Sequence, residues 1–216
     1  MSGQPDEVEA GIGLSAAAHQ SAEEIVGRYD EWAIEYETDV RSWGYTLPED
    51  IAMMTMARSP VGRILDAGCG TGLIGQALVE RGANSQQLVG VDASHASLAI
   101  AADSGAYADV SRVDLAGGLP FDDHSFGAVV CGGVLTYIPE PAPVLREFVR
   151  VLRPGAAAIV SQRTDLWVER NFDETLGQLR AEGVQVEISD RVPYLPDLAE
   201  YGEEIEVIFT TLVAPH

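Results

Sequence analysis

The chain has 216 residues, 46% of them hydrophobic, enough to bury the core of one domain. Thirty-four acids stand against thirteen bases, a formal charge of −21, and every base is an arginine. The lack of lysine excludes Schiff-base and P-loop lysine chemistry, and the lack of a basic cluster excludes nucleic acid as a partner.

No apolar run reaches the length of a membrane span, so no membrane partner is expected. The opening MSGQPDEVEAGIGLS lacks the basic region of a signal peptide, and residues 1–20 read as a flexible tail. Two cysteines, Cys69 and Cys131, form no spaced framework. That predicts a reducing compartment, the cytoplasm by default, and neither a disulfide scaffold nor a metal site.

In chain order, apolar residues at Ile25, Val26, Tyr29, Trp32, Ala33, Tyr36 and Val40 predict a helix over Ser21–Val40. Ser21 followed by Glu24 gives it a capping box. A second helix is expected from Pro48 to near Ser59-Pro60. The pattern then alternates: strand Arg63–Ala67, helix Leu73–Arg81, strand Gln87–Asp92, helix Ser94–Asp103 and a weak strand Asp109–Val113. Strand Phe126–Cys131 follows, then a helix Pro143–Leu152 stopped by Pro154-Gly155. Strand Ala157–Gln162, helix Phe172–Glu182 and strands Val184–Ser189 and Ile205–Val213 complete it. Such alternation predicts an α/β doubly wound, mainly parallel sheet with ligands at the strand carboxyl ends.

The stretch ILDAGCGTG places Gly68, Gly70 and Gly72 directly after Asp66. Glycines there allow unusual backbone angles and bring the chain close to a ligand, at the open N–H groups of the next helix. The nicotinamide fingerprint requires a third glycine where Leu73 stands. A carboxylate at the strand tip also suits an ammonium or sulfonium better than a pyrophosphate. The next strand, LVGVD, ends in Asp92, whose two oxygens suit a pair of ribose hydroxyls. A plain tight turn and a solvated aspartate are the competing readings of each feature taken alone.

Taken together, ILDAGCGTG, VGVDAS, VDLAGGLPF, FGAVVCGGVLTYI and LRPGAAAIVSQ resemble the successive motifs of class I S-adenosylmethionine (SAM)-dependent methyltransferases, over roughly Val61 to Gln162. YDEWAIEYETDV (Tyr29–Val40) and the RTD after the fifth strand are similar to the group that includes the methyltransferase-like protein of the Williams-Beuren syndrome chromosomal region. The resemblance implies a Rossmann-like, seven-stranded, mostly parallel sheet whose last strand is antiparallel. It implies one domain over 21–216, with residues 21–60 as a helical lid and 61–216 as the core.

The resemblance also implies SAM as cofactor and S-adenosylhomocysteine as product. Asp66, Gly68 and Gly70 would contact the methionine moiety, with Thr71 and Gly72 in the same loop. Asp92 would bind the ribose and Ala93 flank the adenine. Asp114 and Leu115 would meet the adenine amino group, and Cys131 would face the methionine through its carbonyl. Tyr36, on the lid, is expected near the transferred methyl, and Tyr29 less so. Tyr137 and Arg163 are further candidates on the acceptor side, with His95, His124 and Thr164 behind them.

The place after the fourth strand reads CGGV, not the D/N-P-P-Y/F of amide methylation, which disfavours adenine-N6 and glutamine acceptors. Methyl transfer to a small molecule is therefore the leading expectation, by a monomer or dimer. A protein methyltransferase, or a SAM-binding protein without turnover, is the alternative. Methyl transfer is an in-line displacement in which orientation does much of the work, so no base need show in the sequence.

Overall fold

A computed structural model describes residues 20–198 and 205–216. The predicted tail therefore lies almost wholly outside the described residues.

Helix α1 spans Ala22–Ser42 and α2 spans Leu47–Ala57. Ser21 and Glu24 close the expected capping box on α1. Then come β1 (Ile64–Ala67), α3 (Leu73–Glu80), β2 (Leu88–Asp92), α4 (His95–Asp103), β3 (Asp109–Arg112) and β4 (Phe126–Cys131). Helix α5 (Pro141–Val151) runs straight into β5 (Leu152–Arg163), and a one-turn helix α6 (Thr164–Trp167) leads to α7 (Phe172–Ala181). Strands β6 (Gln185–Pro193) and β7 (Glu206–Val213) end the chain.

The seven strands lie in the order β3-β2-β1-β4-β5-β7-β6. β7 pairs antiparallel with both β5 and β6, and the other pairings are parallel. The predicted sheet is thus the observed one. Its strand order reverses between β1 and β4, which opens a crevice at the carboxyl ends of these strands.

Alternation along each strand divides the core. Leu65, Val89, Val129 and Val160 meet Leu145 and Phe148 of α5 and Phe172 and Leu176 of α7 on one face. Ile64, Leu88, Val130 and Ile159 meet Leu47 and Ile51 of α2 and Ile74 and Leu78 of α3 on the other. Apolar cover on both faces explains why the central strands read as continuous apolar runs.

Pro154 and Gly155 do not stop a helix; they lie inside β5. The stretch Arg153–Gly155 is exposed, and the register with β4 slips between Leu152 and Ala157. A bulge accommodates the missing N–H of proline there. Strand β6 likewise outruns its expected end, with a register shift between Ile188 and Arg191.

Candidate cofactor site

The turn after β1 is pinned to its neighbour by backbone. Gly68 and Cys69 both donate to the Val91 carbonyl of β2, at 2.7 and 3.0 Å. Gly68 has φ +78°, and a Cβ there would lie 2.3 Å from Val134 Cγ2. Gly70 has φ +53°, with no atom within 4 Å of where its Cβ would sit. The first glycine thus admits protein, and the second leaves room for a ligand.

Asp92, at the tip of β2, is held from both sides. Its Oδ2 accepts from Gly70 N at 2.8 Å and its Oδ1 from Ser94 N at 2.8 Å. Burial raises its pKa, and the N–H bonds from Ser94, Gly70 and Ala93 oppose that rise. Each oxygen keeps lone-pair capacity for a ligand hydroxyl.

One cavity of about 970 Å³, counting its open mouth, runs along these strand tips. Gly68, Gly70, Thr71, Asp92, Ala93, Asp114 and Leu115 line it, as does Tyr36 from α1. Thr71 is buried and its hydroxyl has no hydrogen-bond partner in the protein. A buried, unpaired hydroxyl on a cavity wall fits a polar ligand. Asp114 opens a short turn by accepting from Ala116 N at 3.0 Å.

Other expected residues stand apart. Asp66 is fully buried and does not line the cavity. Its Oδ2 accepts from the Tyr107 hydroxyl at 2.6 Å, and that hydroxyl accepts from Gly75 N of α3 at 3.2 Å. One oxygen of the carboxyl expected to meet an ammonium thus braces the loop from behind, and the other, Oδ1, has no hydrogen-bond partner in the protein. Burial pushes its pKa up to about 7, Tyr107 opposes the rise and nearby Asp92 adds to it. Gly72 is the left-handed N-cap of α3 and does not line the cavity; Cys131 is fully buried, and its place on the wall is taken by Gly132 and Gly133.

Arg163 is buried and paired with Asp165, Nη2 to Oδ2 at 2.6 Å, and is off the cavity wall. Thr164 donates to the Glu206 carbonyl at 3.2 Å. His124 bonds the Leu152 carbonyl at 2.9 Å, at the opposite end of β4 from the cavity. His95 is exposed at the start of α4.

The far wall was not anticipated as a unit. Among the described residues, five of the six tyrosines, Tyr29, Tyr36, Tyr45, Tyr137 and Tyr194, line the cavity. Tyr29 and Tyr137 join hydroxyls at 2.9 Å, and Tyr45 packs edge-on against Tyr194 with centroids 5.6 Å apart. Burial raises the pKa of Tyr29, Tyr36 and Tyr45, so their hydroxyls are neutral at neutral pH. Ile25 and Val26 of α1 add apolar surface. Glycine-loop motifs mark the sheet wall, but no local signal groups tyrosines so dispersed.

Comparison with known proteins agrees with this geometry. Residues 65–160 match the model of a methyltransferase domain family. The chain is 35% identical over 104 residues to the ubiquinone biosynthesis O-methyltransferase of Hahella chejuensis, covering 46% of this chain and 42% of that one. It is 34% identical over 145 residues to the 2-phytyl-1,4-naphtoquinone methyltransferase of Synechococcus elongatus, covering 63% and 62%. The chain therefore spans about half the length of the curated relatives it matches. Among solved structures, the [4+2]-cyclase SpnF superposes with TM-score 0.62 at 25% identity, over 77% of this chain and 80% of that one. A protein of Haloferax volcanii in complex with the Trm112 methyltransferase activator superposes with TM-score 0.67 at 20% identity, over 87% and 96%. Strand order, glycine loop and family match point the same way: over residues 65–160 the chain is similar to a methyltransferase domain.

Proposed function

We propose that the protein transfers a methyl group from SAM to a small-molecule acceptor, with residues 21–60 as a lid on the core formed by residues 61–216. The observation that carries this reading is the meeting of Gly68, Gly70, Asp92, Asp114 and Leu115 on one cavity, opposite the tyrosine wall. Gly68, Gly70 and Thr71 hold the methionine portion, with the unpaired Thr71 hydroxyl as a partner for its polar end. Asp92 takes the ribose hydroxyls, and Ala93, Asp114 and Leu115 border the adenine. The cofactor supplies an already activated methyl group. The chain's task is then orientation and exclusion of water, to which α1 contributes by covering the cavity.

Five tyrosines with Val134 and Ile138 give the other end an aromatic and apolar lining suited to a small organic acceptor. The names of the quinone-pathway relatives support a small molecule over a protein tail. The narrower resemblance of Tyr29–Val40 to the Williams-Beuren group agrees with a covering helix that carries tyrosines. No helix among the described residues is long and apolar enough to cross a membrane. Two buried free thiols, Cys69 and Cys131, support a cytoplasmic setting.

The test is incubation with isotope-labelled SAM and a metabolite extract, beside a peptide array. Label on a small metabolite is the expected result; label confined to peptides moves the assignment to a protein methyltransferase. Binding without transfer to either supports a cofactor-binding protein without turnover.

A further inference from the structure

Asp30 lies on α1, is half-buried and does not line the cavity. Its Oδ1 accepts from Ser94 Oγ at 2.6 Å and from Ala96 N at 3.0 Å. Ser94 is the N-cap of α4, and its Oγ accepts from Ser97 N at 3.0 Å. A carboxylate from a distant helix therefore completes the cap of α4, at the positive end of its dipole.

The same serine is bound to the ribose-end aspartate. Ser94 N donates to Asp92 Oδ1 at 2.8 Å, and Asp92 Oδ2 accepts from Gly70 N at 2.8 Å. A continuous path thus runs from α1 through Ser94 and Asp92 to the glycine loop. Ser94 and Ser97 themselves line the cavity. One helical step away, Tyr29 reaches across to Tyr137. Hydrogen bonding from Ser94 and Ala96 holds the Asp30 carboxyl below its ordinary range, so it is ionised at neutral pH.

We propose that Asp30 is a positioning residue that latches α1 over the cofactor cavity and, through Ser94, fixes the Asp92 carboxylate. The proposal rests on the cofactor reading above. It assigns to Asp30 control of cofactor retention, without contact with the cofactor. The amide of asparagine keeps an oxygen that accepts both bonds, whereas alanine keeps none.

The experiment compares wild type, Asp30→Ala, Asp30→Asn and the exposed α1 control Glu31→Ala. S-adenosylhomocysteine release is followed by stopped-flow tryptophan fluorescence, and amide exchange over 22–42 and 94–97 is followed without ligand. Asp30→Ala is expected to speed release about tenfold, the scale of lost charge-assisted hydrogen bonds. Asp30→Asn restores most of the retention, and Glu31→Ala behaves as wild type. Exchange in both segments rises in Asp30→Ala. Wild-type release and exchange in Asp30→Ala overturn the latch, as does equal acceleration by Glu31→Ala. Should wild type bind no S-adenosylhomocysteine, the cofactor reading fails, and the exchange data still decide whether Asp30 holds α1 to α4.

Discussion

The sheet wall of the cavity is backbone held by backbone and by the Asp92 carboxylate, whereas the α1 wall is held to the rest by side chains alone. On the sheet side, Gly68 and Cys69 bind the Val91 carbonyl, and Asp92 holds Gly70 and Ser94. On the α1 side, Tyr29 reaches Tyr137 and Asp30 reaches Ser94 and Ala96, with Ile34 on the same helix 89% exposed. The first wall can change little without breaking the fold. The second is held by a few side-chain contacts, as the proposed lid requires.

The difference is sharpest at Gly68. Gly68→Ala places a Cβ 2.3 Å from Val134 Cγ2 at φ +78°. We expect a loss of about 2–4 kcal/mol in denaturant unfolding, with S-adenosylhomocysteine affinity down by more than about 100-fold. Asp92→Ala comes next, removing the proposed ligand for ribose and a partner for two backbone N–H groups. A loss of about 1–3 kcal/mol in calorimetric binding is expected in a folded variant, and unchanged affinity would refute the ribose assignment.

Asp66 separates bracing from binding. Burial raises its pKa to about 7 from the ordinary 3.8, so the native state favours its protonated form. That stabilisation is complete below about pH 4 and is lost as pH rises through 7. Asp66→Asn keeps an acceptor for Tyr107 and removes the titration. Its melting temperature, followed without added ligand, should gain on wild type by several degrees between pH 4 and pH 8. A constant difference across that range would show that Asp66 does not titrate there.

The smallest effect belongs to the other wall. Tyr29→Phe deletes the hydroxyl bond to Tyr137 and leaves the ring packed. It should cost about 0.5–1.5 kcal/mol in thermal or denaturant unfolding. A much larger loss would mean that the α1 wall is as tightly built as the sheet wall.

The same contrast explains what the sequence disclosed. The shared place of Gly68, Gly70, Asp92, Asp114 and Leu115 at the strand tips was legible because each sits in a short motif whose strand and turn constrain the backbone locally. The brace on Asp66 was not, since Tyr107, which takes one of its oxygens, is distant in the chain. Arg163 read as an acceptor-side group but is turned onto Asp165 by the short helix that follows β5. The tyrosine wall depends on α1, the connection from α1 to α2, the turn after β4 and the residue that follows β6 meeting in space, which no local pattern records. Pro154-Gly155 misled for the opposite reason: a strong local signal was absorbed by an exposed bulge in β5.

The most direct measurement is calorimetric titration of the wild-type protein with S-adenosylhomocysteine, beside a parallel titration with NAD. One S-adenosylhomocysteine bound per chain, with no heat from NAD, is the predicted result. Saturable NAD binding, or no binding of S-adenosylhomocysteine by the folded protein, would contradict the assignment of the cavity.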